Sequence, residues 1–164
     1  MNAALAAQGG TLTMMKSLTA ALALTALMAG SAYAEVIEVQ MLNRGADGER
    51  NVFEPAVVQA QPGDTIRFIP TDKGHNSLSI DDMLPEGAEE WKSKLNAEFE
   101  LTVNEEGTFG YMCQPHYATG MVGLILVGDA SVNFEEARAV NHRGRAADRF
   151  EEYFAQAEEM LASN

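Results

Sequence analysis

Short strand-like runs, each closed by Gly, Pro, Asn or Asp, recur from Glu35 to Gly128 and limit the folds open to this chain more than any other feature. Val36, Ile37, Val39, Met41 and Leu42 form the first, and Asn43 to Gly48 supply a turn. Val52 to Val58 reads as a second strand, kinked or edged at Pro55. Gln61-Pro62-Gly63-Asp64 is a turn, after which Thr65 to Pro70 alternates apolar and polar residues. Ser77 to Ile80, Phe99 to Val103, Thr108 to Cys113 and Met121 to Val127 follow, punctuated by Gly107 and Gly128. Many short strands separated by turn residues predict a mainly-β sandwich.

Two stretches depart from this pattern. Pro85, Glu86, Ala88, Glu89, Glu90 and Trp91 predict one short helix inside the long connection Asp81 to Lys94. After Gly128 the chain becomes rich in Ala, Glu and Arg, which predicts a helical extension over residues 133–162. Its two helices, Phe134 to Val140 and Ala146 to Leu161, are joined through Asn141 to Gly144. Phe150, Phe154, Ala157 and Leu161 make an apolar stripe expected to pack on the sandwich.

The first residues read as an address. Lys16, the uncharged apolar run Leu18 to Ala29 and the small residues up to Ala34 have the layout of a secretory signal peptide. Residues 1–34 are therefore expected to be removed, with Met14 or Met15 as the expected start, leaving a single domain over 35–164. The apolar run is too short for a comfortable membrane span, and no membrane insertion is expected after cleavage. All 24 acidic residues lie after residue 34, against ten basic ones, a balance of −14. Such a charge argues against nucleic acid and anionic lipid as partners.

Export sharpens the meaning of the single cysteine. Exported proteins use cysteines in pairs, and Cys113 has no partner, so it is a free thiol, an intermolecular bridge or a metal ligand; a bound metal would protect it from oxidation. The stretch Cys113-Gln114-Pro115-His116-Tyr117-Ala118-Thr119-Gly120-Met121 places a thiolate, an imidazole and a thioether in one loop between two strands, and His75 lies upstream at a strand end. Two His and one Cys with a weak axial Met form the type 1 copper arrangement, so His75, Cys113, His116 and Met121 are the expected ligands of one copper ion per chain. Chance would have to bring together the only cysteine, two of three histidines and a correctly spaced methionine. His142, the third, reads as an ordinary residue of the helical tail. Zinc would prefer a stronger fourth ligand than a thioether, and a Cys–His hydrolase lacks an orienting residue. Asn76 is expected outside the ligands, its N–H reaching the Cys113 sulfur and its side chain tying the two ligand-bearing segments together. Pro115 has no N–H to offer that sulfur.

These residues resemble the pseudoazurins, bacterial periplasmic cupredoxins. The resemblance rests on Lys73-Gly74-His75-Asn76, the loop Cys113 to Met121, Phe53-Glu54-Pro55, Pro62-Gly63-Asp64-Thr65 and Met83-Leu84-Pro85-Glu86-Gly87-Ala88. It implies a Greek-key sandwich of about eight strands, with copper near one end under the ligand loop and His116 as the electron port. A monomeric carrier is expected, and with no histidines to spare for the second metal centre of a copper redox enzyme, the chain is not expected to be an enzyme. Single electrons would pass from a cytochrome-type donor to a copper nitrite reductase or another periplasmic reductase. The alternative is a protein that binds and delivers copper. The resemblance also places Lys92 and Lys94 beside the copper end, near Lys73, so these three lysines, with Pro115 and Ala118, are the expected docking residues. Met112 stands where that family often has lysine, and the chain is more acidic than its usual member.

Overall fold

The computed structural model describes residues 34–163. The expected signal peptide lies outside the described residues. Eight strands form two four-stranded sheets: β1 Val36–Arg44, β2 Arg50–Glu54, β3 Val57–Ala60, β4 Thr65–Ile69, β5 Leu78–Ser79, β6 Phe99–Thr102, β7 Gly107–Met112 and β8 Val122–Val127. One sheet has the order β2-β1-β4-β6 and the other β3-β8-β7-β5, the expected mainly-β sandwich. Two helices close the chain, α1 Phe134–Arg138 and α2 Arg145–Ala162. Among the described residues, no helix is long and apolar enough to cross a membrane.

The alternation of β1 and β4 buries Val39, Met41, Ile66 and Phe68 between the sheets. They meet Phe53, Phe109 and Tyr111 in one core cluster. Phe53 and Tyr111 pack edge-on at 4.7 Å, and Phe68 and Tyr111 at 5.2 Å. β8 does not alternate, because both of its faces are buried. Ile125 and Val127 join the inter-sheet core, whereas Val122, Leu124 and Leu126 join Phe134, Phe150, Phe154 and Ala157 of the two helices. The helical extension thus covers the outer face of the strand that follows the ligand loop.

One local expectation is revised, and the short helix is placed. Val52 to Val58 is two strands, β2 and β3, which belong to different sheets. Pro55 cannot donate to a ladder, and the chain leaves one sheet and enters the other around it. The short helix of the long connection is a 3-10 turn at Asp81–Met83, ahead of Pro85. Leu84 is extended (φ −101°, ψ 143°), as a residue preceding proline prefers. Beyond it the chain is held by hydrogen bonds to β5, with Ser79 N–H donating to Trp91 O at 3.0 Å and Trp91 N–H to Ser79 Oγ at 3.0 Å.

Candidate metal centre

β7 and β8 are antiparallel neighbours, and their connection, residues 113–121, is the loop that holds Cys113, His116 and Met121. The two ends of that loop are hydrogen-bonded, Cys113 N–H to Met121 O at 2.9 Å. Between them a 3-10 turn, Gln114–Thr119, presents His116, whose N–H donates to Cys113 O at 3.1 Å. The turn ends at Gly120 in the left-handed region (φ 89°). A Cβ there would lie 3.0 Å from Arg149 Cγ and 3.1 Å from Arg145 Cγ on α2, so only glycine suits both the backbone and the close approach.

His75 comes from the other side, in the connection between β4 and β5. Its carbonyl accepts Asn96 N–H at 2.9 Å, and Ser77 O accepts Ser93 N–H at 2.8 Å, so the segment from Lys92 to Asn96 runs alongside it. The structure brings the three strong candidate donors together. His75 Nδ1 and His116 Nδ1 are 3.1 Å apart, and Cys113 Sγ lies 3.7 Å from the first and 3.6 Å from the second. A triangle of this size fits donors around one ion at bond lengths of roughly 2.0–2.3 Å. Met121 is fully buried in the same core cluster as Cys113, and it offers the soft thioether of the set.

The electrostatics suit a metal. Burial, and then the neighbouring His116, lower the pKa of His75, while Asp72 opposes the shift. A neutral ring keeps its lone pair. Asn43 Oδ1 lies 3.0 Å from His75 Nε2 and accepts a hydrogen bond from its N–H, which leaves Nδ1 to face Cys113 and His116. Burial pushes the Cys113 thiol up, and the backbone N–H groups of Asn76 and His116 pull it back toward the thiolate. A buried thiol with two such donors gives up its proton when a cation takes its place.

Asn76 is buried, and its Oδ1 accepts Gln114 N–H at 2.9 Å, linking the His75 segment to the ligand loop. Pro115 and Ala118 are exposed, and His116 is partly exposed beside them. Lys92 and Lys94 share a groove with Asn76, Leu95, Gln114 and Pro115. Lys73 is exposed, two residues before His75. Asn43 was missed in the sequence because it sits in a turn-like string where asparagine needs no other explanation. His142 was set aside as a tail residue, and the structure places it against the ligand loop, Nδ1 2.9 Å from Tyr117 Oη.

Pro115 gives one expected outcome here. Pro115→Ala supplies an N–H in the loop two residues from Cys113, and a new donor favours the more electron-rich sulfur of the Cu(I) state. Voltammetry of this variant should show a higher potential than the parent. A lower potential would mean that the changed loop geometry outweighs the new donor.

Comparison with known proteins identifies the family. Residues 39–128 match the profile of copper binding proteins of the plastocyanin/azurin family. The chain is 47% identical over 140 residues to the pseudoazurin of Paracoccus pantotrophus, covering 85% of this chain and 96% of that one. It is 44% identical over 125 residues to the pseudoazurin of Methylorubrum extorquens, covering 76% and 84%. A Sinorhizobium pseudoazurin structure superposes with a TM-score of 0.74 at 44% identity, covering 76% of this chain and 97% of the other. The pseudoazurin structure from Methylobacterium extorquens AM1 gives 0.71 at 43% identity, covering 74% and 98%.

Proposed function

The chain belongs to the pseudoazurins, within the plastocyanin/azurin family of copper-binding proteins, and from that premise we propose how its residues carry electrons and where. It is an electron-transfer copper protein that binds one copper ion, not an enzyme. His75 Nδ1, Cys113 Sγ and His116 Nδ1 would hold the ion most strongly, and the Met121 thioether would be the weak fourth donor. The observation that supports this assignment is the triangle of three donor atoms, 3.1, 3.6 and 3.7 Å on its sides. When bound, copper supplies a one-electron Cu(I)/Cu(II) couple.

The protein's part is to keep these donors from moving as the charge changes. The Cys113–Met121 backbone bond and the Asn76–Gln114 bond hold the loop ends to the sandwich, and Asn43 holds the His75 ring. Rigid donors make reorganisation small, which favours a carrier over a protein that hands its metal on. The partly exposed edge of His116, beside Pro115 and Ala118 in the same turn, is the electron port, with Lys73 near His75 in sequence and Lys92 and Lys94 on the groove that Pro115 lines to meet an acidic partner. Residues 1–34 export the protein to the periplasm, where it works as a monomer between a cytochrome-type donor and a copper nitrite reductase or similar acceptor.

Copper titration followed by voltammetry tests this reading. One equivalent should saturate the protein, give a reversible one-electron wave, and resist removal by a competing chelator. Rapid loss of the ion to the chelator, without a reversible wave, would instead support copper delivery.

A further inference from the structure

The ligand loop is tied to the C-terminal helices by a side-chain hydrogen bond. Tyr117, next to His116, reaches out of the 3-10 turn, and its Oη lies 2.9 Å from Nδ1 of His142, in the linker between α1 and α2. The His142 ring lies on Phe150 of α2 with centroids 4.1 Å apart. Burial lowers its pKa and so favours the neutral ring. Its Nε2 is shut off from solvent with no hydrogen-bond partner. For filling space beside Phe150 alone, a histidine is a poor choice, since a phenylalanine would bury no orphaned nitrogen. What histidine adds at this position is the bond from Nδ1 to Tyr117.

The backbone shows what that bond restrains. His116 is held at its N–H by Cys113 O, and its C=O accepts Met121 N–H at 3.1 Å. Thr119 Oγ1 also donates to His116 O at 2.9 Å, and Asn51 Nδ2 in turn lies 3.3 Å from Thr119 Oγ1. Those bonds fix the peptide of His116 on the sandwich side. On the helix side, Tyr117 to His142 is the side-chain hydrogen bond that crosses from the turn to the extension. We propose that His142, acting through Tyr117, is a positioning residue for His116, so that the C-terminal extension helps set the electronic properties of the copper site. This inference rests on His116 being a ligand. Freed from His142, the turn can rotate and the imidazole can draw back. Cu(I) tolerates a longer ligand distance better than Cu(II), so the potential rises.

The test uses His142→Phe, which keeps a ring on Phe150, together with Tyr117→Phe and the double variant. Voltammetry of the copper-loaded proteins should show the same upward shift in all three, because each removes the one bond. A two- to fivefold change in the relative affinity for Cu(I) and Cu(II) reads as roughly 20–40 mV, at 59 mV per tenfold for one electron. Hydrogen exchange at the amides of His116, Gly120 and Met121 in the metal-free proteins should quicken several-fold, with the melting temperature of His142→Phe kept. Unchanged potentials and exchange rates, or shifts that add in the double variant, would overturn the proposal. Tyr117→Phe removes a single oxygen from a partly exposed ring, so it remains decisive if His142→Phe folds poorly. A parent protein without a coloured copper site would sink the ligand assignment, and the exchange rates of the metal-free proteins would still decide whether His142 holds the loop.

Discussion

Cys113→Ser is expected to abolish the intense visible absorption of the copper-loaded protein and to weaken copper binding by at least about a hundredfold, since loss of an outer partner alone costs about 10–100-fold. The reason lies in the donor, not in the fold. Cys113 is fully buried at the end of β7, and serine there is nearly isosteric. Its hydroxyl is a hard donor that stays protonated in a site built around a thiolate. The backbone N–H groups of Asn76 and His116, which favour the thiolate, would then face a neutral oxygen. The metal-free variant should unfold within a few degrees of the parent, and absorption spectroscopy with copper titration measures the rest. A coloured serine variant would mean that the charge-transfer band arises elsewhere in the protein.

Reversing Lys73, Lys92 and Lys94 to glutamate should slow association with a copper nitrite reductase by roughly tenfold at low salt, within the range by which electrostatic steering alters on-rates. These are the only lysines after Lys16, and the parent carries them on a chain with 24 acidic residues. Lys92 and Lys94 open onto the groove that Pro115 lines, so these two charges lie beside the proposed port. The parent rate should fall as salt rises, because attraction across the interface is screened over about 10 Å at 0.1 M ionic strength. In the reversed variant that dependence should flatten or invert, and the copper spectrum should not change. Stopped-flow rates that match the parent at every ionic strength would place docking on the apolar rim alone or on another face.

How far the sequence could be read depended on how local each signal was. The ligand loop was legible because its donors fall within nine residues, Cys113 to Met121, and because soft sulfur paired with imidazole suits few ions. The strands of the sandwich were legible where one face is wet, as in β1 and β4. β8 could be recognised as a strand, but its burial on both faces depends on the two helices that cover it. The division of Val52 to Val58 between two sheets follows from how the chain turns at Pro55, which a strand pattern does not encode. The short helix of the long connection lies at Asp81–Met83, ahead of Pro85, because the chain beyond is held by hydrogen bonds to Ser79 from twelve residues away in sequence. Asn43 and His142 act across 32 and 25 residues respectively, through single atoms on turn or linker segments. Nothing in their immediate neighbours marks them.

The most direct measurement is the combined visible and electron paramagnetic resonance spectrum of the oxidised protein loaded with one copper per chain. Donation from Cys113 into a site closed by two imidazoles and the Met121 thioether predicts an intense thiolate-to-copper band in the visible. It also predicts an unusually small copper hyperfine splitting, because the unpaired electron is shared with sulfur. A weak visible band with the large splitting of a tetragonal nitrogen and oxygen site would contradict the assignment of Cys113 as a ligand and, with it, the account of this protein as a type 1 copper electron carrier.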